Sequence, residues 1–281
     1  MNKLNKSIAF RHLKKYSQYT QNQNWLTWYS KVAPLKGERT AKILLNYKDS
    51  KAKLLDLGCG IGLTLAVLAK HFTNSMGCDV GKNEIRASKE LLKLLEIKSP
   101  VVLYDGKHLP FKDNTFDIIT SIEVIEHVSK PDLMLKEIRR VLKPGGILHI
   151  TTANKWWPIE PHFKLPFLSY LPSGVADFYV RVFRRGNSYQ GIHLPGYGKF
   201  YKIVDKYFTV TNITLDIIRD FEHYGLDKER GRLIIMVGRI LKFAGHYKKT
   251  LIVGGIISFV EKLLIKLSLG WLFIAYPKKI K

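Results

Sequence analysis

The central part of the chain alternates short apolar runs with segments in which apolar residues recur at helical spacing. Such alternation is typical of a parallel sheet whose strands are buried by helices on both faces. Two further apolar runs follow at residues 208–215 and 233–237, and both are predicted as strands that complete the sheet. The predicted strands are residues 53–57, 76–78, 101–104, 116–121, 146–151, 208–215 and 233–237.

The first 50 residues carry helical patterns and no strand pattern. Helices are predicted at residues 8–19, 24–32 and 38–47, with a turn at residues 34–37, where a proline and a glycine stand close together. Their aromatic side chains can pack these helices onto the core, and this is the simpler expectation for most of them. The aromatic residues in question are Tyr16, Tyr19, Trp25 and Trp28.

Residues 154–206 form an insertion between the fifth and sixth predicted strands. The segment is rich in aromatic residues and prolines, as in the stretch Trp156-Trp157-Pro158. It leaves the carboxyl end of a strand, which is where open α/β sheets bind their ligands. We therefore expect it to cap a substrate, although a purely structural cap has the same composition.

The C-terminal segment, residues 241–281, is apolar and basic. Residues 251–275 are predicted as one amphipathic helix, because Glu261, Lys262 and Lys266 fall on one face. Charges at the centre of a membrane-spanning helix are costly, so a span is not favoured. A helix lying in the surface of an anionic membrane fits better, and packing against the domain or a second copy is the alternative.

The chain is strongly basic. Among its 281 residues, 46 are Lys or Arg and 23 are Asp or Glu, which gives a formal net charge of +23. This charge favours an anionic membrane surface or a polyanion as a partner, although a merely basic surface explains it equally well. The sequence contains no recognisable nucleic-acid-binding module, so we rank nucleic acid second. The only cysteines are Cys59 and Cys78, which argues against a disulfide scaffold and for a cytoplasmic setting.

A glycine-rich loop follows the first predicted strand. Asp56 ends the strand, and Gly58, Gly60 and Gly62 follow it. Glycine lets the backbone turn tightly and approach a bound cofactor. A second acid, Asp79, comes about 20 residues later at the end of the second predicted strand, where a ribose-binding carboxylate belongs.

Five motifs in order resemble the class I S-adenosylmethionine (SAM) methyltransferases, in particular the branch that includes quinone-biosynthesis methyltransferases. The resemblance covers residues 51–152. It implies a Rossmann-like, seven-stranded, mostly parallel sheet, with an antiparallel hairpin as its last two strands. The motifs are Asp56-Leu57-Gly58-Cys59-Gly60-Ile61-Gly62, Gly77-Cys78-Asp79, Tyr104-Asp105-Gly106, Phe116-Asp117-Ile118-Ile119 and Leu142-Lys143-Pro144-Gly145-Gly146.

The resemblance also implies roles for single residues. Asp56 would orient the loop and the amino group of SAM, and Asp79 would bind the ribose hydroxyls. Asp105, followed by Gly106, would bind the adenine amine. Each acid can instead cap a helix or stabilise a turn. The implied organisation is a helical N-terminal cover (residues 1–50) that can also form a lid over SAM, a methyltransferase domain (51–240) with a substrate cap (154–206), and a C-terminal amphipathic helical tail (241–281).

The sequence Glu123-Val124-Ile125-Glu126-His127 follows the fourth predicted strand. On a helix, Glu123, Glu126 and His127 would share one face. The pattern is similar to that of ubiquinone-biosynthesis O-methyltransferases and small-RNA 2′-O-methyltransferases. It implies an oxygen acceptor and either a divalent ion (Mg²⁺, Mn²⁺ or Zn²⁺), with His162 as a further ligand, or metal-free catalysis by His127, Glu126 and His162.

These observations together predict a SAM-dependent methyltransferase. Its expected acceptor is an oxygen on a lipid-linked, quinone-like or glycan-type small molecule, handled at the cytoplasmic face of a membrane. Two alternatives stay open at this point: an RNA 2′-O-methyltransferase, and a SAM-binding scaffold at the membrane that lacks catalysis. The sequence makes no prediction about the oligomeric state.

Overall fold

The structure is a computed structural model that describes residues 6–16, 23–230, 232–246 and 251–279. Its strands are β1 (Leu54–Leu57), β2 (Ser75–Asp79), β3 (Val101–Leu103), β4 (Phe116–Ile122), β5 (Leu142–Ala153), β6 (Phe208–Asn212) and β7 (Gly270–Pro277). Its helices are α1 (Lys6–Tyr16), α2 (Gln23–Leu45), α3 (Leu63–His71), α4 (Lys82–Leu94), α5 (Pro131–Val141), α6 (Ser173–Val182), α7 (Tyr197–Asp205), α8 (Thr214–Arg219), α9 (Leu226–Arg230), α10 (Arg232–His246) and α11 (Leu251–Leu267). Short 3-10 turns occur at Ile125–His127 and Leu168–Tyr170.

The described strands form one seven-stranded sheet in the order β3-β2-β1-β4-β5-β7-β6. The first five strands in this order are parallel, and β7 runs antiparallel to both of its neighbours. This arrangement confirms the predicted Rossmann-like, mostly parallel sheet. Because these five strands run in the same direction, their carboxyl ends lie along one edge, where ligands bind in this class of fold.

Both faces of the sheet are buried, as the apolar runs predicted. Leu54 and Ile118 pack with α2 and α3 on one face. The next residues along the same strands, Leu55 and Ile119, belong to the larger cluster on the other face, which includes side chains of α5 and α7. Neighbouring residues of a strand point to opposite faces, so a strand buried on both sides loses polar alternation.

The predicted strand at residues 233–237 is wrong, because this run lies inside helix α10. Ile234 and Ile235 pack in a cluster with Ile217 and Phe221, while Met236 is exposed. This order of buried and exposed side chains fits a helix. A five-residue apolar run is too short to distinguish the period of a helix from that of a strand.

The predicted helix at residues 251–275 is correct only as far as Leu267. The chain then turns at Ser268 and Leu269 and forms β7. β7 inserts between β5 and β6, so β6 and β7 pair antiparallel but do not form the predicted hairpin. The sheet therefore extends past the predicted domain boundary at residue 240. The predicted strand at residues 208–215 likewise ends early, at Asn212, where α8 begins two residues later.

The predicted turn at residues 34–37 is also wrong, because α2 continues through Pro34 and Gly37. Gly37 lies against α3 so closely that an added Cβ would come within 2.7 Å of the Cβ of Val67. The glycine therefore serves a close helix-to-helix approach rather than a turn. α1 and α2 cover the sheet helices as expected.

The aromatic residues of this cover have different surroundings. The Tyr16 hydroxyl donates to Glu90, and Trp28 is partly exposed with the Lys164 ammonium 4.5 Å from its ring centroid. This second contact joins α2 to the insertion. Tyr19 and the side chain of Trp25 lie outside the described residues.

Replacing Trp271 by alanine should destabilise the protein by about 3–5 kcal/mol, because a fully buried aromatic side chain leaves a cavity. Trp271 is 1% exposed, and its indole N–H donates to the Ile265 carbonyl oxygen at 2.6 Å. Urea unfolding measures the change. Tyr276→Ala in the same strand is the control, since Tyr276 is exposed. Equal losses for the two variants would contradict the assignment of β7 to the core.

Candidate functional site

The glycine loop is pinned to the second strand by backbone bonds. The amide groups of Gly58 and Cys59 donate to the Cys78 carbonyl oxygen at 2.8 and 3.2 Å. Gly60 and Gly62 both have positive φ, at 52° and 87°, a region that glycine enters without steric cost. The loop is thereby fixed at the carboxyl ends of β1 and β2.

Asp79 holds this loop through its side chain. Its two carboxylate oxygens accept hydrogen bonds from the amides of Gly60 at 2.8 Å and Gly81 at 2.9 Å. Helix α1 closes over the same loop, since His12 Nε2 lies 2.9 Å from the Ile61 carbonyl oxygen. The predicted ribose-binding acid thus stands at the strand end, and it also organises the loop.

Asp56 carries a buried carboxylate oxygen that has no partner. One oxygen, Oδ1, accepts a hydrogen bond from Thr120 Oγ1 at 2.7 Å, and Oδ2 is buried without one. Burial raises the pKa of Asp56 to about 6, against the opposing effect of the Thr120 bond. An unpartnered acceptor of this kind is costly unless a ligand satisfies it.

These features fit SAM. The ammonium group of its methionine part is a cation that would satisfy the unpartnered oxygen of Asp56. Gly60 has no atom within 4 Å of where a Cβ would stand, which leaves space beside the loop. The residues that would hold SAM are therefore Asp56, the glycines and Asp79.

Asp105 is placed differently from the other two acids. It is exposed, and its Oδ1 accepts the amide hydrogens of Lys107 at 2.8 Å and His108 at 2.7 Å. These backbone bonds hold the pKa of Asp105 below its usual value. Gly106 has φ at 77°. Asp105 therefore stabilises its own turn, and its contact with adenine stays a prediction.

The Glu123–His127 segment lies directly against the glycine loop. An added Cβ at Gly58 would come within 2.4 Å of Val124 Cγ2, so only glycine fits there. The prediction that Glu123, Glu126 and His127 share one helical face is wrong. Glu123 has a positive φ of 55°, and only the residues after Val124 form a short 3-10 turn.

Three of the four predicted metal or catalytic residues come together. Donor atoms of Glu126, His127 and His162 all lie within 4.8 Å of one another, and the two imidazole rings are 5.1 Å apart between centroids. We call these three residues the Glu-His-His cluster. Glu123 is not part of it. Its carboxylate oxygens accept from Lys36 Nζ at 2.7 Å each.

Glu126 is the buried member of the cluster. Its Oε2 accepts a hydrogen bond from Thr152 Oγ1 at 3.0 Å, while Oε1 is buried with no partner. Burial, together with the charge of Glu123, raises the pKa of Glu126 to about 7. As at Asp56, one oxygen of a buried acid is left for a ligand.

His162 is oriented by an acid from its own loop. Its Nδ1 lies 2.6 Å from Glu160 Oε1, and the buried Glu160 also accepts the amide hydrogens of His162 and Phe163. Burial lowers the pKa of His162, but the bond to Glu160 and the nearby acids outweigh it and raise the pKa overall. A carboxylate on one ring nitrogen leaves the other nitrogen to face a ligand.

His127 has a lowered pKa, in contrast to His162. Burial and the neighbouring His162 lower its pKa, despite a hydrogen bond to the Gly191 backbone. Because that bond occupies one ring nitrogen, the other can accept a proton. His193 is connected to the cluster through its backbone, since its amide donates to the Glu126 carbonyl oxygen at 2.7 Å.

The donor set of the cluster also fits a divalent cation. One carboxylate and two imidazoles are ligands that Zn²⁺ and Mn²⁺ accept. Glu160 holds one ring nitrogen of His162, as a carboxylate commonly does for a metal-binding histidine. Glu126, His127 and His162 would hold such an ion. It would supply a positive charge next to an acceptor oxygen.

Four residues that position the site were not predicted from the sequence. Glu160 stands two residues before His162, a spacing that could have indicated the pair. Thr120, Thr152 and Lys36 lie 64, 26 and 87 residues from their partners, and no local pattern connects such positions. Only the packing of the helices and strands brings these residues next to their partners.

The Asp56→Asn variant should gain stability relative to the unmodified protein as the pH rises. The pKa of Asp56 is higher in the folded protein than in the unfolded chain. The protonated carboxyl group therefore contributes its full stabilisation below about pH 4, and this stabilisation is lost as the pH rises through about 6. Between about pH 4 and pH 8 the difference should grow by up to about 3 kcal/mol. Urea unfolding without SAM measures it, with Asp113→Asn as the control for the lost charge. A difference that does not change with pH would contradict the prediction.

The comparisons with known proteins agree with this geometry. A family profile described as "Methyltransferase domain" matches residues 55–150. The chain is 31% identical over 154 residues to a ubiquinone biosynthesis O-methyltransferase of Coxiella burnetii, covering 53% of this chain and 64% of that protein. It is 32% identical over 128 residues to a ubiquinone/menaquinone biosynthesis C-methyltransferase of Cupriavidus pinatubonensis, covering 43% and 51%.

The likeness to solved structures concerns the fold. The crystal structure of the PH0226 protein from Pyrococcus horikoshii aligns over 96% of this chain and 98% of that one, with a TM-score of 0.54 and 17% identity. The chain spans between about half and two-thirds of the length of the curated relatives named above. The family profile, the ordered motifs and the seven-stranded sheet agree, and residues 55–150 form a methyltransferase domain with the fold of the class I SAM-dependent methyltransferases.

Proposed function

We propose that this protein transfers a methyl group from SAM to an oxygen atom of a small lipid-linked or quinone-like acceptor at a membrane surface. The observation that carries the proposal is the position of the Glu-His-His cluster beside the glycine loop. Val124 packs against Gly58, so a methyl group held at the loop and a hydroxyl group at the cluster would be neighbours. Methyl transfer requires that in-line proximity.

His127 serves as the general base in this proposal. SAM, when bound, supplies a methyl group that is already activated by its sulfonium. His127 takes the hydroxyl proton on its available ring nitrogen while the acceptor oxygen bonds to the methyl carbon, and the sulfur keeps the electron pair of the broken bond. The Gly191 backbone fixes the ring through a hydrogen bond, and the nearby carboxylates of Glu123 and Glu160 favour the imidazolium, whereas the charge of His162 opposes it.

A divalent cation is the second candidate for the cluster. The unpartnered Oε1 of Glu126 and the Glu160–His162 pair favour it. Titration of the apoprotein with Zn²⁺ or Mn²⁺ tests this candidate directly. Binding that is lost in a His162→Ala variant, together with inhibition of methyl transfer by a chelator, would replace the metal-free scheme.

The C-terminal surface supports a site of action at a membrane. Within the part of the chain that the structure describes, no helix is long and apolar enough to cross a bilayer. Helix α11 instead exposes its apolar side and turns Glu261 inward to Arg219 at 2.9 Å. The exposed apolar side chains are Ile256, Phe259, Val260, Leu263 and Leu267, between 44% and 69% exposed.

The charge of this region points to the same partner. Residues 231–281 contain ten Lys or Arg residues and a single acid, Glu261. Lys262 and Lys266 are exposed on α11 itself. An apolar face bordered by cations matches an anionic lipid surface, whereas a nucleic acid would make no use of the apolar side chains. We therefore favour lipid over RNA as the partner.

Replacing His127 by alanine should reduce methyl transfer by about 100-fold or more, because a positioned general base contributes 10²–10⁴-fold. The affinity for SAM should stay unchanged, since the loop residues hold it. The measurement uses methyl-labelled SAM with a cell extract that is then separated into organic, aqueous and nucleic-acid fractions, with Asp79→Ala as the blank.

The controls for this experiment separate the alternatives. His223→Ala replaces an exposed histidine away from the cluster and should transfer methyl groups normally. Label in the organic fraction supports the proposal. Label confined to the RNA fraction would overturn it in favour of the RNA methyltransferase, and the absence of any label above the blank would favour the scaffold.

Replacing Phe259 and Leu263 together by serine should weaken binding to anionic phospholipid vesicles by about tenfold or more. Each apolar side chain contributes about 1.5–3 kcal/mol when it is fully removed from water. Vesicle flotation measures the change. Leu94→Ser with Leu133→Ser is the matched control, because both leucines are exposed outside the C-terminal surface. Equal binding by all variants would contradict docking through α11.

A further inference from the structure

Helix α6, within the insertion, exposes a second apolar face bordered by arginines. We propose that this face enters the same anionic membrane surface, so that the cap receives its acceptor from the bilayer. The proposal rests on the function proposed above. It narrows the substrate class to acceptors with an apolar tail that stays in the lipid while the hydroxyl group reaches the cluster.

The exposed side of α6 is apolar. Val175, Phe178 and Val182 follow a three-and-four spacing along one face, and Phe183 follows at the end of the helix. Each of the four is more than half exposed. Monomeric proteins rarely expose large apolar side chains in one contiguous stripe, and such stripes mark contact surfaces.

The opposite side of α6 already has its packing partners. Ala176 and Val180 are completely buried in a small cluster with Leu165 and Leu168. The apolar residues on the outer side are therefore not needed for the core of the insertion. Phe183 touches Tyr179 edge-on, with ring centroids 4.9 Å apart, and the stripe otherwise faces outward.

The charges on α6 and directly after it indicate an anionic partner for this face. Arg181, Arg184 and Arg185 are exposed next to the apolar stripe. The one acid, Asp177, is engaged inside the insertion, where its carboxylate accepts from Ser188 Oγ at 2.9 Å and from the Tyr189 amide at 2.6 Å. A cationic rim around apolar side chains matches anionic headgroups above an acyl layer.

A second copy of the chain is a poorer match for this face. Two copies would bring the same arginines together, and each copy carries a formal net charge of +23. Like charges oppose association unless counter-charges are placed between them. An anionic lipid surface provides those counter-charges and also accepts the apolar residues.

Side-chain packing connects α6 to the loop that carries His162. Phe163, the residue after His162, packs against Tyr189 with ring centroids 5.6 Å apart. An added Cβ at Gly186, just beyond α6, would come within 2.9 Å of the Phe163 ring. The helix and His162 are thus parts of one packed unit, so a membrane that receives α6 lies next to the cap that carries His162.

Further aromatic residues of the insertion are exposed. Trp156 and Phe167 both contact Tyr170 edge-on, with centroids 5.3 and 5.6 Å apart, and all three are exposed. The Lys155 ammonium lies 5.1 Å from the Trp156 ring centroid. Tryptophan and tyrosine favour the boundary between headgroups and acyl chains, which suits the rim of an opening that faces lipid.

The test replaces Phe178 and Phe183 together by serine. Flotation with vesicles of phosphatidylcholine plus phosphatidylglycerol should show binding weakened by about tenfold or more. Thermal unfolding and SAM affinity should stay close to those of the unmodified protein, because both side chains are more than half exposed. Leu94→Ser with Leu133→Ser serves again as the matched control. A second variant, Arg184→Gln with Arg185→Gln, should lose the preference for anionic over pure phosphatidylcholine vesicles.

A second readout addresses the acceptor. Lipids extracted from the source cells are presented either within vesicles or dispersed in detergent micelles, with methyl-labelled SAM. The phenylalanine variant should label the vesicle-held lipids at least tenfold less than the unmodified protein, and should label the dispersed lipids equally. Equal losses in both preparations would overturn delivery from the bilayer and indicate a role inside the cap.

The outcomes separate this inference from the proposed function. Vesicle binding is measured without methyl transfer, so unchanged binding by the phenylalanine variant overturns the α6 surface whatever the enzyme methylates. If the phenylalanine variant loses vesicle binding but the unmodified protein labels no lipid, α6 still binds the membrane and the proposed acceptor is wrong. If the unmodified protein ignores vesicles and sediments as a dimer that the variant cannot form, the face is an interface between copies.

Discussion

The pairing of β5 with β7 is the interaction on which the rest of the structure depends. It joins residues 142–153 to a strand near the C-terminus through six antiparallel residue pairs. The same pairing holds Thr152 where its hydroxyl reaches Glu126. The neighbouring Asn154 bonds to carbonyl oxygens at the end of α11. The core, the Glu-His-His cluster and the C-terminal surface are therefore anchored by one pair of strands inside the sheet.

Two buried acids give the site its character. Asp56 and Glu126 each use one carboxylate oxygen for a hydroxyl group of the neighbouring strand, and each leaves the other oxygen buried without a partner. Such an arrangement costs free energy in the unliganded protein. It is stable because the surrounding sheet is densely packed, and it prepares the site for groups that supply a positive charge or a proton. The free-state cost thus favours ligand binding.

The net charge indicates a partner only in combination with the positions of the exposed apolar side chains. A net charge of +23 by itself is compatible with nucleic acid, lipid or no particular partner. Helices α6 and α11 each turn an apolar face outward and keep their single acid turned toward the protein. The charge alone fits both a nucleic acid and an anionic lipid surface. The exposed apolar side chains favour the lipid surface.

The sequence by itself determined the five parallel strands and the glycine loop, because buried strands and tight turns leave local patterns in composition. It also indicated Glu126, His127 and His162 as candidate site residues, and the fold brings these three together. Only the tertiary structure decided that Glu123 pairs with Lys36 and that β7 completes the sheet. A short apolar run fits a buried helix or a buried strand equally well. The partner of a side chain 87 residues away depends on how the elements pack, which no local pattern records.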